Sequence, residues 1–189
     1  MRKRAERVDE TRQRIIEATV QLHGTVGPAA TTIMGIAEQA QVTRLTVYRH
    51  FPDEGTLFAA CSAHWLSQRV LPDPDSWSQI ADPLDRLRSG LTDLYRFYRA
   101  GESMLSWIYR DKASLPAANR EFLERRDAHF RDVLIKPFVA TGAQRRRLRA
   151  VLGHAVSFWT WRSLCIEHGL SNREAVEAMA ALTLTTTSA

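Results

Sequence analysis

Between Thr43 and His50 the chain sets out two threonines, a tyrosine, two arginines and a histidine, with no acidic residue among them. Read as a helix, this stretch turns Thr43, Arg44, Leu45, Thr46, Tyr48, Arg49 and His50 outward beside a buried Val47 and Phe51. Hydroxyl, guanidinium and imidazole N–H groups are donors, and donors are what phosphate oxygens and the base edges of a duplex accept. Leu45 adds an apolar surface that can pack on a thymine methyl group. The chemistry on offer is recognition of a nucleic acid.

Such a helix needs elements to hold it. Residues 32–51, TIMGIAEQAQVTRLTVYRHF, read as two short helices joined by a tight turn. Ile33, Ile36, Ala37 and Ala40 follow helical spacing, Val42 fills the turn, and Thr43 is the N-cap of the second helix. Thr32 caps the first. A preceding helix from about Asp9 to His23 carries Ile15, Ala18, Thr19 and Leu22 on one face, fit to pack across both, and Gly24, Gly27 and Pro28 end it. A fourth helix from about Asp53 to Val70 turns Leu57, Phe58, Cys61, Trp65 and Leu66 inward. Pro72 and Pro74 then mark an extended connector.

Asp82 and Pro83 open a helix that runs to about Ala100 and stops at Gly101. Two more run from Ser103 to Lys112 and from Pro116 to about Val139. The next, from about Ala143 to His168, has two apolar stripes: Leu148, Leu152, Ala155, Trp159 and Ile166, and Val151, His154, Phe158, Trp161 and Cys165. A surface helix needs one such stripe, so the second predicts cover, by another subunit or within an internally buried hairpin. Ser171 to Glu174 is a capping box that starts a last helix through about Thr183. No alternation of period two persists, so the chain reads as all-α.

Composition narrows the function. The 189 residues carry a formal net charge of +5, which favours an anionic partner. Within residues 1–14, six basic side chains, Arg4 among them, stand against three acidic ones; such an arm can follow a phosphate backbone, enter a minor groove, or remain a solvated tail. Cys61 and Cys165 have no CxxC spacing, which argues for a reducing compartment. No signal-peptide run and no stretch of ~18 apolar residues is present, so a cytoplasmic location without a membrane is expected. The six histidines form no HExxH and no cluster with cysteine, and no phosphate-binding glycine loop or GxSxG elbow occurs. The expectation is no catalytic residue, no metal, no cofactor and no enzyme. Among the aromatics of the C-terminal part, Tyr95, Tyr98, Trp107, Phe130, Phe158, Trp159 and Trp161, with Trp65 of the fourth helix, are candidates to line a mostly apolar small-molecule pocket.

The stretch from about Thr11 to Trp65 resembles the DNA-binding region of the tetracycline-repressor (TetR) family of bacterial transcriptional regulators. The resemblance rests on TRQRIIEATVQLHGTVG, the Thr31-Thr32 doublet, Ile36-Ala37, and Thr46-Val47-Tyr48-Arg49-His50-Phe51 followed by Leu57-Phe58. It departs from the family pattern at Gln41, where a glycine is usual in the turn, at Leu45, and at Asp53-Glu54-Gly55, where a lysine often opens the fourth helix. The resemblance implies an N-terminal helix-turn-helix domain over 1–52, a connecting helix over 53–70 and a helical effector-binding and dimerisation domain over 71–189. It further implies that Thr43, Tyr48 and His50 hold phosphates, with Thr32 near one. Arg44, Leu45, Thr46 and Arg49 would then face bases, Met34 would graze the groove, and Arg4 would lie in the arm. The partners implied are a palindromic double-stranded DNA operator, a partly apolar small-molecule effector that releases a repressor, and a second copy of the chain. The alternative is an all-α small-molecule-binding protein whose helix-turn-helix no longer binds DNA.

Overall fold

The computed structural model describes residues 2–187, with side chains for 6–186. The chain is helical throughout, with no strand among the described residues. In order, the helices are α1 (Arg2–Thr25), α2 (Ile33–Gln39), α3 (Arg44–His50), α4 (Glu54–Ser67), α5 (Pro74–Ser78), α6 (Pro83–Ala100), α7 (Glu102–Arg110), α8 (Ala117–Ile135), α9 (Gly142–Ala155), α10 (Phe158–Arg162) and α11 (Asn172–Thr187). Short 3-10 turns lie at Pro28–Ala30 and Lys112–Ser114, and Ser163–Glu167 winds as a π-helix.

Two compact units divide the chain, and their boundary differs from the expected one. Residues 1–70 and 103–122 form the first, so α4 and most of α7 belong with the helix-turn-helix. Residues 71–102 and 123–189 form the second. The reason for the departure is a polar fastening that sequence separation hides. The Asp111 carboxylate accepts the Ala29 N–H at 3.0 Å and is gripped by Arg110 Nε at 2.6 Å, 82 residues along the chain from Ala29. Arg110 holds Asp111 below the usual carboxylate range. Its guanidinium also lies 3.9 Å over the Trp107 ring. The core beneath is apolar: Ile15 and Ile16 of α1, Ile36 of α2, Val47 of α3, Phe51, and Leu57 of α4 are all buried.

In the second unit α6 is the central post, with Leu87, Leu91, Leu94, Tyr95 and Tyr98 fully buried, and α11 packs against α6 and α9. The helix expected over 143–168 is broken. Its α-helical run ends at Ala155, Val156 and Ser157 intervene, and α10 begins at Phe158. A break strands carbonyls, and buried carbonyls need donors. Tyr95 Oη donates to the Ala155 carbonyl at 2.8 Å and Tyr98 Oη to that of Val156 at 2.7 Å. The break also changes which face is inward. Leu148, Leu152 and Ala155 are buried before it and Phe158, Trp161 and Cys165 after it, while Trp159 and Ile166 are exposed. Much of the doubled stripe is therefore satisfied inside one subunit.

The polar fastening makes Gly27 a sensitive position. Its φ of +88° lies in the left-handed region that favours glycine, and a Cβ there would sit 2.5 Å from Asp111 Oδ2 and 2.9 Å from the Trp107 ring. Gly27→Ala is expected to destabilise the first unit by about 2 kcal/mol or more, measured as a lowered denaturation midpoint.

Candidate nucleic-acid interface

A seven-residue helix has too few hydrogen bonds to persist alone, so α3 depends on its caps and its anchors. Thr43 caps it as expected: its side-chain oxygen accepts the Thr46 N–H at 3.2 Å and shares a 2.9 Å hydrogen bond with Thr46 Oγ1. Thr32 caps α2 in the same way, accepting the Gly35 N–H at 3.0 Å. Val47 and Phe51 fix the inner face, at 0% and 2% exposure. Arg12 of α1 lies 4.8 Å over the Phe51 ring.

With one side chain of α3 buried, nearly all the others face outward. Leu45 is 78% exposed, Arg44, Tyr48 and Arg49 are exposed, and Thr46 and His50 are half-buried. Met34, near the start of α2, is exposed as well. The expected contacts Thr32, Met34, Thr43, Arg44, Leu45, Thr46, Tyr48, Arg49 and His50 thus sit on α2, α3 and their caps. Arg4 lies on the backbone of α1, but its side chain is outside the described residues.

The turn between α2 and α3 carries Gln41 at φ +54°, the left-handed conformation that its position demands. Arg14 of α1 donates to the Ala40 carbonyl beside it, at 3.3 Å. Nothing in the spacing of α1 singled out Arg14 or Arg12 for these roles. His50 is held below the usual histidine range by burial first, then by Arg49 and Arg12. A neutral imidazole still has one N–H to give to a phosphate oxygen.

The aromatic side chains assigned to a pocket are divided between the two units. Trp65 and Trp107 belong to the first unit, and Tyr95, Tyr98, Phe130, Phe158, Trp159 and Trp161 to the second. Tyr95 and Tyr98 have their hydroxyls engaged at the helix break, and Trp161 Nε1 donates to Asn172 Oδ1 at 3.1 Å. Tyr98, Phe158 and Trp161 pack ring on ring, with Phe158 set edge-on to Tyr98 at 5.4 Å. Tyr95, Tyr98, Phe158 and Trp161 are buried, and the one hydrogen bond each tyrosine hydroxyl and the Trp161 indole N–H can donate is made within the chain. Phe130 packs against Trp77 at 5.4 Å, Arg69 covers Trp65 at 3.6 Å, and Trp159 is 44% exposed.

The described residues thus form a helix-turn-helix in one compact unit and a bundle of helices in the other. Residues 15–61 match the model of the bacterial regulatory proteins of the tetR family. TtgR of Pseudomonas putida, an HTH-type transcriptional regulator, is 34% identical over 97 residues, covering 50% of this chain and 46% of TtgR. AcrR of Shigella flexneri, another HTH-type transcriptional regulator, is 38% identical over 58 residues, 31% of this chain and 27% of AcrR. The match thus spans about half or less of these relatives' length. The fold extends further. A structure of AibR in complex with isovaleryl coenzyme A and operator DNA superposes with a TM-score of 0.65 at 18% identity, over 91% of this chain and 97% of that one. PfmR from Thermus thermophilus gives 0.60 at 19% identity, over the same shares. No helix among the described residues is long and apolar enough to cross a membrane.

Beneath this interface His23 of α1 is buried, 3.7 Å from Cys61 Sγ and 5.3 Å from the Phe58 ring centroid. Burial lowers its pKa from 6.5 to about 4, against a raising pull from Asp111. A base whose folded pKa is lowered favours the fold while neutral, so that stability is lost as pH falls from 6.5 towards 4. Between pH 7 and pH 4.5 the chain should lose about 2 kcal/mol through this one side chain. Denaturant titrations of the wild type and of His23→Gln at both pH values measure it: the variant should lose less by that amount.

Proposed function

We propose that the chain is a ligand-responsive transcriptional regulator, a homodimeric repressor that holds a palindromic DNA operator and leaves it when a small, partly apolar effector binds. The observation that carries the reading is the surface of α3. It buries Val47 alone and presents a run of donors and one apolar side chain with no acid among them. Thr43, Tyr48 and His50 contact phosphates; Arg44, Leu45, Thr46 and Arg49 face the bases, Met34 the groove edge and Arg4 an adjoining stretch of backbone. AibR, solved in complex with isovaleryl coenzyme A and operator DNA, supports a chain of this fold that takes both a small molecule and DNA, and NalD, the secondary repressor of a multidrug efflux pump in Pseudomonas aeruginosa, supports repression. On this reading the chain is no enzyme, and it works where the DNA is, in the cytoplasm.

The second unit supplies the dimer. Trp159, Ile166, Leu182 and Leu184 remain about 40% exposed on α10, the π-segment and α11. Large apolar side chains left open on the last elements of a chain are what a two-fold related copy covers. A dimer then demands inverted half-sites spaced so that both copies of α3 meet the major groove. Light scattering at micromolar concentration should give twice the chain mass, and Leu182→Glu, placing a charge in the covered face, should shift it towards the monomer.

Gel shifts with genomic fragments at two salt concentrations test the DNA contacts. Tyr48→Phe should weaken every sequence alike, because a phosphate contact reads no base. Arg44→Ala should cost about 1–3 kcal/mol at a cognate guanine and flatten the preference between fragments. An Arg44→Ala chain with unchanged preference removes that residue from the readout. A wild type that retains no fragment at low salt makes the chain a plain small-molecule-binding protein.

A further inference from the structure

We propose that the DNA-reading unit holds a small-molecule site of its own, for an organic anion with an apolar body, placed so that its occupant and DNA exclude one another. The inference rests on the reading of α3 as the DNA-contacting helix. A cavity of about 540 Å³ opens beside that helix, and every residue lining it belongs to the first unit. That volume suits a ligand of ordinary drug size.

The floor is apolar and uncharged. Ile36, Leu57 and Phe58 are buried there, Thr19 has its hydroxyl engaged by the Ile15 carbonyl at 2.8 Å, and the His23 ring is kept neutral by burial. Placing a charge on that floor would be costly, so the body of the occupant is apolar. One wall is built by Ser114 and Pro116. The fastening of Asp111 to Ala29 sets that wall, since the 3-10 turn Lys112–Ser114 follows directly on Asp111 and the Ser114 N–H donates to its carbonyl at 2.8 Å. A wall tied at both its own turn and the α1 exit makes this a formed cavity.

The mouth carries the polar groups. Arg44 and Tyr48, one helical turn apart on α3, stand there with Thr32 and Glu54. Arg44 is the one cation of the lining, and Glu54 is its one carboxylate. The surroundings decide between them: Arg49 and His50 continue the α3 surface with no acid between residues 43 and 50, and the neighbouring Asp53 has its carboxylate engaged by the Thr56 N–H and hydroxyl. An anionic head at the mouth meets Arg44 and the Tyr48 hydroxyl. Those are the groups assigned to bases and phosphates, so a filled mouth leaves no room for the duplex. This is a different device from release by a distant effector, because two ligands competing for the same atoms never occupy the chain together.

The test uses the full chain and the fluorescent probe 8-anilinonaphthalene-1-sulfonate, an aromatic sulfonate. Ser114→Trp fills the cavity from an exposed rim position and should weaken the probe about tenfold or more; Met34→Trp, from the opposite rim, should do the same, and the far-ultraviolet melting curve of each reports that it is folded. Probe affinity unchanged in both folded variants overturns the site. Arg44→Ala should weaken the probe about fivefold, and Glu54→Gln should tighten it by a smaller factor. The opposite signs overturn the anionic class. Finally, the apparent dissociation constant of the probe should rise in proportion to added duplex DNA at low salt, without limit. A rise that levels off at a fixed factor is the signature of two ligands bound at once through a coupling free energy, and it overturns mutual exclusion. A duplex that does not bind the chain at all overturns the regulator reading and the exclusion together, while the variant series still decides whether the cavity takes the anion.

Discussion

A helix of two turns cannot hold itself together, and most of the first unit can be read as the consequence. Helix nucleation fixes several dihedral angles for each early hydrogen bond, so α2 and α3, at seven residues each, owe their existence to what they pack against. Val47 and Phe51 are inserted among Ile15, Ile16, Ile36 and Leu57, burying side chains each worth about 1.5–3 kcal/mol on removal from water. Once those two anchors are set, helical geometry leaves the rest of α3 little choice but to face outward. The chemistry of recognition is thereby produced by packing: the same anchors that stabilise the helix aim Arg44, Thr46 and Tyr48. If α3 reads DNA as proposed, a core substitution at Val47 acts on that reading as directly as one on the surface.

Local features of the sequence carried much of this. Thr32 and Thr43 are legible as caps because a threonine before an apolar helical run has an oxygen placed for the third N–H onward, and both do accept it. The Asp82-Pro83 start and the Ser171-Glu174 box are legible for the same reason, and Glu174 accepts from both the Ser171 N–H and its hydroxyl. The left-handed backbone of Gln41 agrees with the glycine that the resembled family usually carries in this turn. What stayed hidden is non-local. The break at Val156 and Ser157 has no proline or glycine to announce it, and apolar residues follow helical spacing straight through it. Only Tyr95 and Tyr98, some 60 residues earlier, supply the donors that make the break tolerable. An aromatic tip that serves a stranded carbonyl looks, in sequence, like one waiting for a ligand, so the use of these hydroxyls at the break could not be read in advance.

The membership of residues 103–122 in the DNA-reading unit is hidden in the same way, and it matters more. Asp111 is a single carboxylate in a stretch rich in charges, with nothing in its neighbours to mark it. In the fold it joins the Arg110 guanidinium to the backbone just after the α1 exit, where glycine, at position 27, is the one residue type that clears it. Arg110 also reaches the Val26 carbonyl at 3.4 Å. The α7 end and the α1 end are therefore one rigid junction. Any displacement of α7 acts on the turn that leads into α2 without first passing along α4.

Charge at the reading surface is balanced more finely than the net +5 suggests. Asp53 caps α4 by accepting the Thr56 N–H at 2.7 Å, which with the Thr56 hydroxyl holds its carboxyl below the ordinary range, and Glu54 follows at the first helical position. Both carboxylates favour the positive end of the α4 dipole, so they stabilise the helix. On the proposed reading the same two charges lessen, without reversing, the attraction that Arg44 and Arg49 exert on a phosphate backbone beside α3. Local helix stability and non-specific attraction to DNA are thus opposed at one place, and here the helix is favoured. With a weakened sequence-independent attraction, a larger share of the binding free energy has to come from side chains that touch bases. On the proposed reading that shifts the weight of recognition onto Arg44, Leu45 and Thr46, and makes discrimination between sequences less dependent on salt than it would be with a lysine at the head of α4.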